Sequence, residues 1–250
     1  MTDKKIIILN PSPDGFGETK DKLDAADFAS KLPSQHTHVY YSNDSLGLYV
    51  GVWDTTDMVE IGGPYECDEF MWLLEGKADI KNNKTGAIET VKAGEAFIIP
   101  KGYDCQWQQV GYLRKFFVIS QHPNQSIPAT PAFAGIIKPQ VDAPMSVMDV
   151  TDPFVINGTK PVQKNCSYYE DTTGQFFSGT WDSEPFTSEI KAFPCNEFVY
   201  LLEGSITLID EEGAEHFVKA GDAFFIPQGT VCGWRTTEYV RKFYAIQQSL

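Results

Sequence analysis

Glu69-Phe70-Met71-Trp72-Leu73-Leu74-Glu75-Gly76 is followed 128 residues later by Glu197-Phe198-Val199-Tyr200-Leu201-Leu202-Glu203-Gly204. Two stretches with the same opening glutamate, apolar centre and closing Glu-Gly mark an internal duplication. The copies extend well beyond them. Upstream, Gly51, Trp53, Asp54 and Cys67 recur as Gly179, Trp181, Asp182 and Cys195. Downstream one loop residue is lost. Val91, Gly94, Phe97, Pro100, Gly102, Cys105, Trp107, Arg114 and Lys115 then recur at an offset of 127 as Val218, Gly221, Phe224, Pro227, Gly229, Cys232, Trp234, Arg241 and Lys242. Ile8 and Pro11 recur as Ile136 and Pro139, so each copy occupies nearly half the chain.

Prolines and small polar residues crowd between the copies, from His122 to Pro131, and read as a linker. The expected organisation is an N-terminal domain over 1–122, a linker over 123–133 and a C-terminal domain over 134–250. Within each copy, short apolar runs alternate with turn signals. Glu69 to Leu74 precedes Gly76, a polar turn covers Asn82-Asn83-Lys84-Thr85-Gly86, and Gly94 precedes Phe97 to Pro100. Such spacing indicates an all-β sandwich or barrel. The one candidate helix, near Lys20 to Ser30, is short enough to be only an irregular turn.

The 250 residues carry 20 Lys and Arg against 34 Asp and Glu, a formal charge of −14. That surface repels phosphate backbones and anionic headgroups, so neither nucleic acid nor a membrane is an expected partner. The apolar run Ile6 to Leu9 is too short for a signal peptide, and no stretch is long enough to span a bilayer. With five cysteines, an odd number, and no secretory signal, a reducing cytoplasm is the expected location.

The duplicated motifs resemble those of the cupin superfamily. The first places a glutamate shortly before a glycine, as in Glu69 to Gly76 and Glu197 to Gly204. The second runs Gly, five residues, Pro-x-Gly, two residues and then usually histidine, as in Gly94, Pro100, Gly102, Cys105 and Gly221, Pro227, Gly229, Cys232. The Lys-Ala-Gly-Glu/Asp-Ala-Phe phrase, the downstream tryptophan and the Arg-Lys-Phe ending are similar to the EutQ-like and (S)-ureidoglycine aminohydrolase-like branch, whose aminohydrolases are bicupins. The resemblance implies two tandem jelly rolls, each a double-stranded β-helix. It also implies a metal held by two histidines and the glutamate of the first motif and the histidine of the second. Here no histidine stands near Gly62 to Tyr65 or Ile190 to Phe193, and cysteine replaces the last ligand in both copies.

Strand alternation turns Glu69 inward with Cys67 and Met71, and Cys105 inward with Trp107. The expected pockets join Cys67, Glu69, Cys105 and Trp107 in one copy and Cys195, Glu197, Cys232 and Trp234 in the other. Three readings of these cysteines compete. They are small buried hydrophobes, they are ligands with glutamate in a thiolate-carboxylate metal site, or they are reactive thiols, which a neighbouring carboxylate disfavours. Glu69 and Glu197 are harder to treat as packing, because an inward carboxylate must be paired, protonated or used. They are the candidate catalytic acid/base residues or metal ligands, although hydrogen bonding to backbone or tyrosine is the plain alternative.

Trp53, Met71 and Trp107, with Trp181 and Trp234, are candidate ligand contacts, though large aromatics are commonly core. His36-Thr37-His38 lacks a following glutamate at the needed distance and reads as chance. Lys115 and Lys242 either end a strand in solvent or turn inward and neutralise the glutamates; the sequence leaves both open. Phe70, Trp72 and Leu74, with Phe198, Tyr200 and Leu202, make the reverse face apolar too. The two cupins are therefore expected to pack on each other, with homodimerisation optional.

The sequence thus supports binding or processing of a small polar metabolite without the usual histidine-rich metal site. A metal-dependent hydrolase or isomerase, which the aminohydrolase resemblance implies, and a non-catalytic metabolite sensor are the alternatives. The cofactor is open, a divalent metal being the candidate.

Overall fold

The computed structural model describes residues 4–128, 130, 132–140, 142–148 and 156–248. Residues 129 and 131 of the expected linker lie outside that set. Among the described residues the regular structure is β-strand apart from one turn of 3-10 helix, Ala25–Asp27. That turn is all that forms of the candidate helix near Lys20 to Ser30. Asp24 caps it, its Oδ1 accepting from the Ala26 N–H at 2.9 Å, and Phe28 ends it in an extended conformation that bridges to Glu60. No helix is long and apolar enough to cross a membrane among these residues.

The chain forms two compact units. One is Asn10–Lys138; the other takes the residues through Leu9 together with those from Pro139 onward. These differ from the expected halves because strand Ile7–Leu9 pairs antiparallel with Ala223–Ile226, with Ile8 opposite Phe224. Reciprocally, Ile137 exchanges both backbone hydrogen bonds with Ile98, at 2.8 and 2.9 Å. Each repeat therefore begins with residues that complete the other repeat's sheet.

In the Asn10–Lys138 unit, one sheet runs in the order Gln35–Asn43, Leu48–Thr55, Leu113–Ser120, Asp68–Glu75, Ala96–Ile99. A second runs Met58–Val59, Asp104–Gln109, Lys77–Asn82, Ile88–Lys92, with Gly63–Pro64 also on Asp104–Gln109. Every pairing is antiparallel. In Asp104–Gln109 the odd residues Cys105, Trp107 and Gln109 are buried and the even ones half-buried, as expected of a strand with one face towards the core. Asp68–Glu75 is buried on both faces over its first six residues, and Phe70 on the reverse face has no exposure. The core between the sheets includes Met71, Leu73, Ile80, Phe97 and Trp107. Burial of a side chain such as Phe97 contributes about 2–3 kcal/mol.

The other unit repeats the plan. One sheet follows Ile7–Leu9, Ala223–Ile226, Asn196–Glu203, Val240–Gln247, Phe176–Ser183, Gln163–Glu170, Ser146–Val147. The second is built on Val231–Arg235, Ser205–Asp210 and Glu215–Lys219. Its core includes Val199, Leu201, Ile206, Phe224 and Trp234. Both units are jelly rolls whose inner faces come from matched positions of the repeat. Gly51 shows how tightly the inner face is filled: a Cβ there would stand 2.5 Å from Phe117 Cζ and 2.4 Å from the His38 carbonyl oxygen.

Candidate functional site

Strands Asp68–Glu75 and Leu113–Ser120 pair with Glu69 opposite Ile119, Met71 opposite Phe117 and Leu73 opposite Lys115. Cross-strand partners project to the same face, so all six side chains enter the barrel. Lys115 has an ammonium at the end of a long apolar stem. That stem lets it reach past Met71, whose sulfur lies 3.0 Å from Nζ, to donate to Glu69 Oε1 at 2.8 Å. The ammonium sits 4.8 Å from the Trp53 ring centre and 5.0 Å from that of Trp107. The Tyr65 hydroxyl donates to the other carboxylate oxygen of Glu69. The pair is buried, with side-chain exposures of 8% for Lys115 and 5% for Glu69. Two charges removed from water are tolerated because each has the other, aromatic faces and a hydroxyl in place of solvent.

The second unit repeats the pair. Lys242 Nζ donates to Glu197 Oε1 at 2.6 Å, over Trp181 at 4.8 Å and Trp234 at 4.4 Å. The lysine left open by the sequence is thus inward in both copies, and it engages the glutamate singled out as the site's centre.

A cavity of about 700 Å³ opens on the Glu69–Lys115 pair in the Asn10–Lys138 unit. Of the sequence-selected residues, Trp53, Cys67, Glu69 and Cys105 line it; Met71 and Trp107 lie behind, in the core. The thiols stay protonated. Burial first, and then the Glu69 charge, push Cys67 well up, and burial with Glu60 beside it pushes Cys105 up to about 12.

Glu60 and Tyr65 also line the cavity, and sequence reasoning did not select them. Glu60 is set on the barrel wall by two backbone contacts. Its N–H donates to the Trp107 carbonyl at 3.0 Å, and its carbonyl accepts from Gln106 Nε2 at 2.8 Å. Its carboxyl group accepts no hydrogen bond from the described residues. Burial pushes its pKa up to about 7, with Glu69 and Asp27 adding to the rise and Lys115 opposing it. The turn Ala25–Asp27 is held against this wall by the Ile61 N–H, which donates to the Asp27 carbonyl at 2.8 Å. Burial and then Glu69 hold the Tyr65 hydroxyl well above its usual range, so it remains a donor.

These additions are peculiar to one copy. At the repeat position of Glu60 stands Ser188, whose Oγ accepts from the Trp234 backbone N–H at 2.8 Å. At that of Tyr65 stands Phe193, stacked on Trp234 with centroids 6.0 Å apart and planes 7° from parallel. Met58 is matched by Phe186, edge-on to Trp181 at 6.0 Å. Cys195 and Cys232 are buried there, with thiols raised first by burial and then by Glu197, Cys232 to about 12. A comparison of the repeats picks out what the copies share, and Glu60 and Tyr65 differ between them. The available signal was Gly62-Gly63, matched by Ile190-Lys191: Gly62 adopts a φ of 77°, and a Cβ there would come within 2.5 Å of the Cys105 carbonyl oxygen.

The donors do not fit a divalent metal. Both Glu69 oxygens accept hydrogen bonds, and an ammonium already supplies the positive charge beside them. Among the described residues no group of three or more His, Cys, Asp or Glu side chains is arranged to hold a metal ion.

Residues 170–244 match the family model of the EutQ-like cupin domain. A DUF861-family protein of unknown function from Pseudomonas syringae pv. tomato str. DC3000 is 24% identical. Its structure superimposes with a TM-score of 0.78, covering 98% of this chain and 100% of that one. Ylba from E. coli, also DUF861, gives 0.56 at 12% identity over 98% and 91%. A cupin 2 conserved barrel domain protein from Leptotrichia buccalis gives 0.55 at 12% over 87% and 90%. At these identities the structures establish the fold alone. No curated protein matches the sequence.

Proposed function

We propose that this cupin-superfamily chain takes up a small polar metabolite in its Asn10–Lys138 barrel and binds or processes it without a metal ion. The observation that carries this reading is the cavity of about 700 Å³ lined by Glu60, Tyr65, Glu69 and Lys115. That volume suits a small ligand, and a concave site with polar and charged groups converging beside apolar wall can fix a small polar molecule's orientation. Glu69, which accepts hydrogen bonds from Lys115 and Tyr65, is the polar anchor. Trp53 and Phe28 supply apolar wall. The Asn196–Glu203 barrel keeps the buried pair, but Phe193 and Ser188 replace the hydroxyl and the second acid, which fits a scaffold role. A metal-dependent hydrolase is disfavoured by the engagement of both Glu69 oxygens.

The test is a metabolite screen on chelator-treated protein, read by calorimetry, with Glu69→Gln and Glu197→Gln compared. A hit should lose affinity at least tenfold in Glu69→Gln and remain within twofold in Glu197→Gln. Equal effects of the two substitutions, or binding restored only by added metal, would defeat the reading.

A further inference from the structure

Glu60 is an acidic side chain on the cavity wall that takes no part in the buried pair. Lys115 is committed to Glu69, and Tyr65 donates to Glu69 as well. The Glu60 carboxyl group faces the same space and accepts no hydrogen bond from the described residues. A partly buried carboxyl group without a donor is a cost that a bound ligand can remove.

The surrounding charge selects the ligand. Asp24, Asp27, Glu60, Glu66 and Glu69 line the cavity against Lys22 and Lys115, a formal excess of three negative charges when all are ionised. An anion would add to that excess, whereas a cation relieves it. Resting on the cavity reading above, we propose that the site takes a small ligand with a protonated, primary-amine-like nitrogen, which docks on Glu60 and displaces its proton.

The groups facing Glu60 are Asp27 from the 3-10 turn, Glu69 from Asp68–Glu75, Lys115 from Leu113–Ser120, Cys105 from Asp104–Gln109, and Tyr65. Cys105 and Tyr65 stay neutral through the physiological range, and Glu69 and Lys115 offset each other. Glu60 is therefore the group that titrates near neutrality, with its pKa raised to about 7. A cation binds the ionised form, so affinity should rise with pH through that value and then level off. The ligand nitrogen keeps its proton, the carboxyl group loses its own to solvent, and no oxidant or co-reactant is needed.

The experiment uses the whole chain and three probes of matched size: propylammonium, propionate and propionamide. Calorimetry at pH 6, 7 and 8 in two buffers of different ionisation enthalpy reads affinity and proton release together. Propylammonium should bind most tightly, gain about tenfold between pH 6 and pH 8 and release up to one proton at pH 6. Glu60→Gln should weaken propylammonium at least tenfold at pH 8 and flatten its pH dependence. Preference for propionate or propionamide, or an unchanged pH profile in Glu60→Gln, overturns the assignment and leaves the cavity reading standing. Failure of all three probes at 100 mM overturns both.

Discussion

Lys115 Nζ lies 2.8 Å from Glu69 Oε1 although the two are not cross-strand partners: Lys115 is opposite Leu73 and Glu69 opposite Ile119. The side chain therefore runs along the inner face of the sheet instead of out to solvent. The same diagonal reach joins Lys242 to Glu197, where Lys242 is opposite Leu201 and Glu197 opposite Ile246. An ion pair built twice at matched positions is part of the barrel's core, and in one copy it is also the floor of a cavity.

Removing one member of that pair strands the other. Lys115→Met should destabilise the chain by about 3–5 kcal/mol, because Glu69 is left as an uncompensated buried charge. The double variant Lys115→Met/Glu69→Gln should recover most of that loss. A double-mutant cycle from urea midpoints checks this; simple additivity of the two single substitutions would show the pair to be uncoupled.

Glu60 makes stability depend on pH. Its folded pKa is about 7, above the ordinary 4.5, so the folded state holds a proton that the unfolded state has released. Stability therefore falls as pH rises from about 4.5 to about 7 and is level beyond. Glu60→Gln removes this loss. Relative to wild type it should gain roughly 1–3 kcal/mol by pH 8, and little at pH 4.5. Denaturant midpoints across that range are the check, and a constant difference between the two proteins would refute the assignment.

Thiol reactivity should divide the cysteines. Cys67, Cys105, Cys195 and Cys232 are buried, with thiols held protonated, whereas Cys166 is only half-buried. Iodoacetamide at pH 8 should modify Cys166 first in the native protein, and the other four only with denaturant. Peptide mapping that finds Cys105 or Cys67 alkylated as fast as Cys166 would contradict the burial described.

Gly51→Ala should cost about 3 kcal/mol. The added Cβ meets both the Phe117 ring and the His38 carbonyl oxygen, and the latter, being backbone in the adjacent strand, cannot swing aside. A second substitution, Phe117→Leu, should not restore the loss. Thermal midpoints of the single and double variants decide the point.

The duplication made the architecture readable: matched apolar runs and turn glycines recur between the copies, and the inward set of Cys67, Glu69, Cys105 and Trp107 follows from strand alternation within a repeat. The lysine was visible too, as one of two options, because alternation gives its face but not how far its stem will reach. Glu60 and Tyr65 were hidden for the opposite reason. Their repeat counterparts are Ser188 and Phe193, so a comparison that rewards identity between copies passes over them. The exchange of Ile7–Leu9 could not be seen either. Ile8 and Ile136 are the same residue at the same repeat position, and nothing local to an isoleucine says which sheet it will complete.

That exchange bears on how the protein can be divided. A scission at the proline-rich stretch would send Ile7–Leu9 off with one fragment and leave Ala223–Ile226 in the other with open backbone donors and acceptors along its margin. The first fragment would in turn forfeit the hydrogen bonds Ile137 gives Ile98. Neither piece is a self-sufficient module: the continuous stretch Asn10–Lys138 keeps its own barrel whole, whereas the other barrel calls for a circularly permuted gene that joins Ile7–Leu9 to the residues from Pro139 onward.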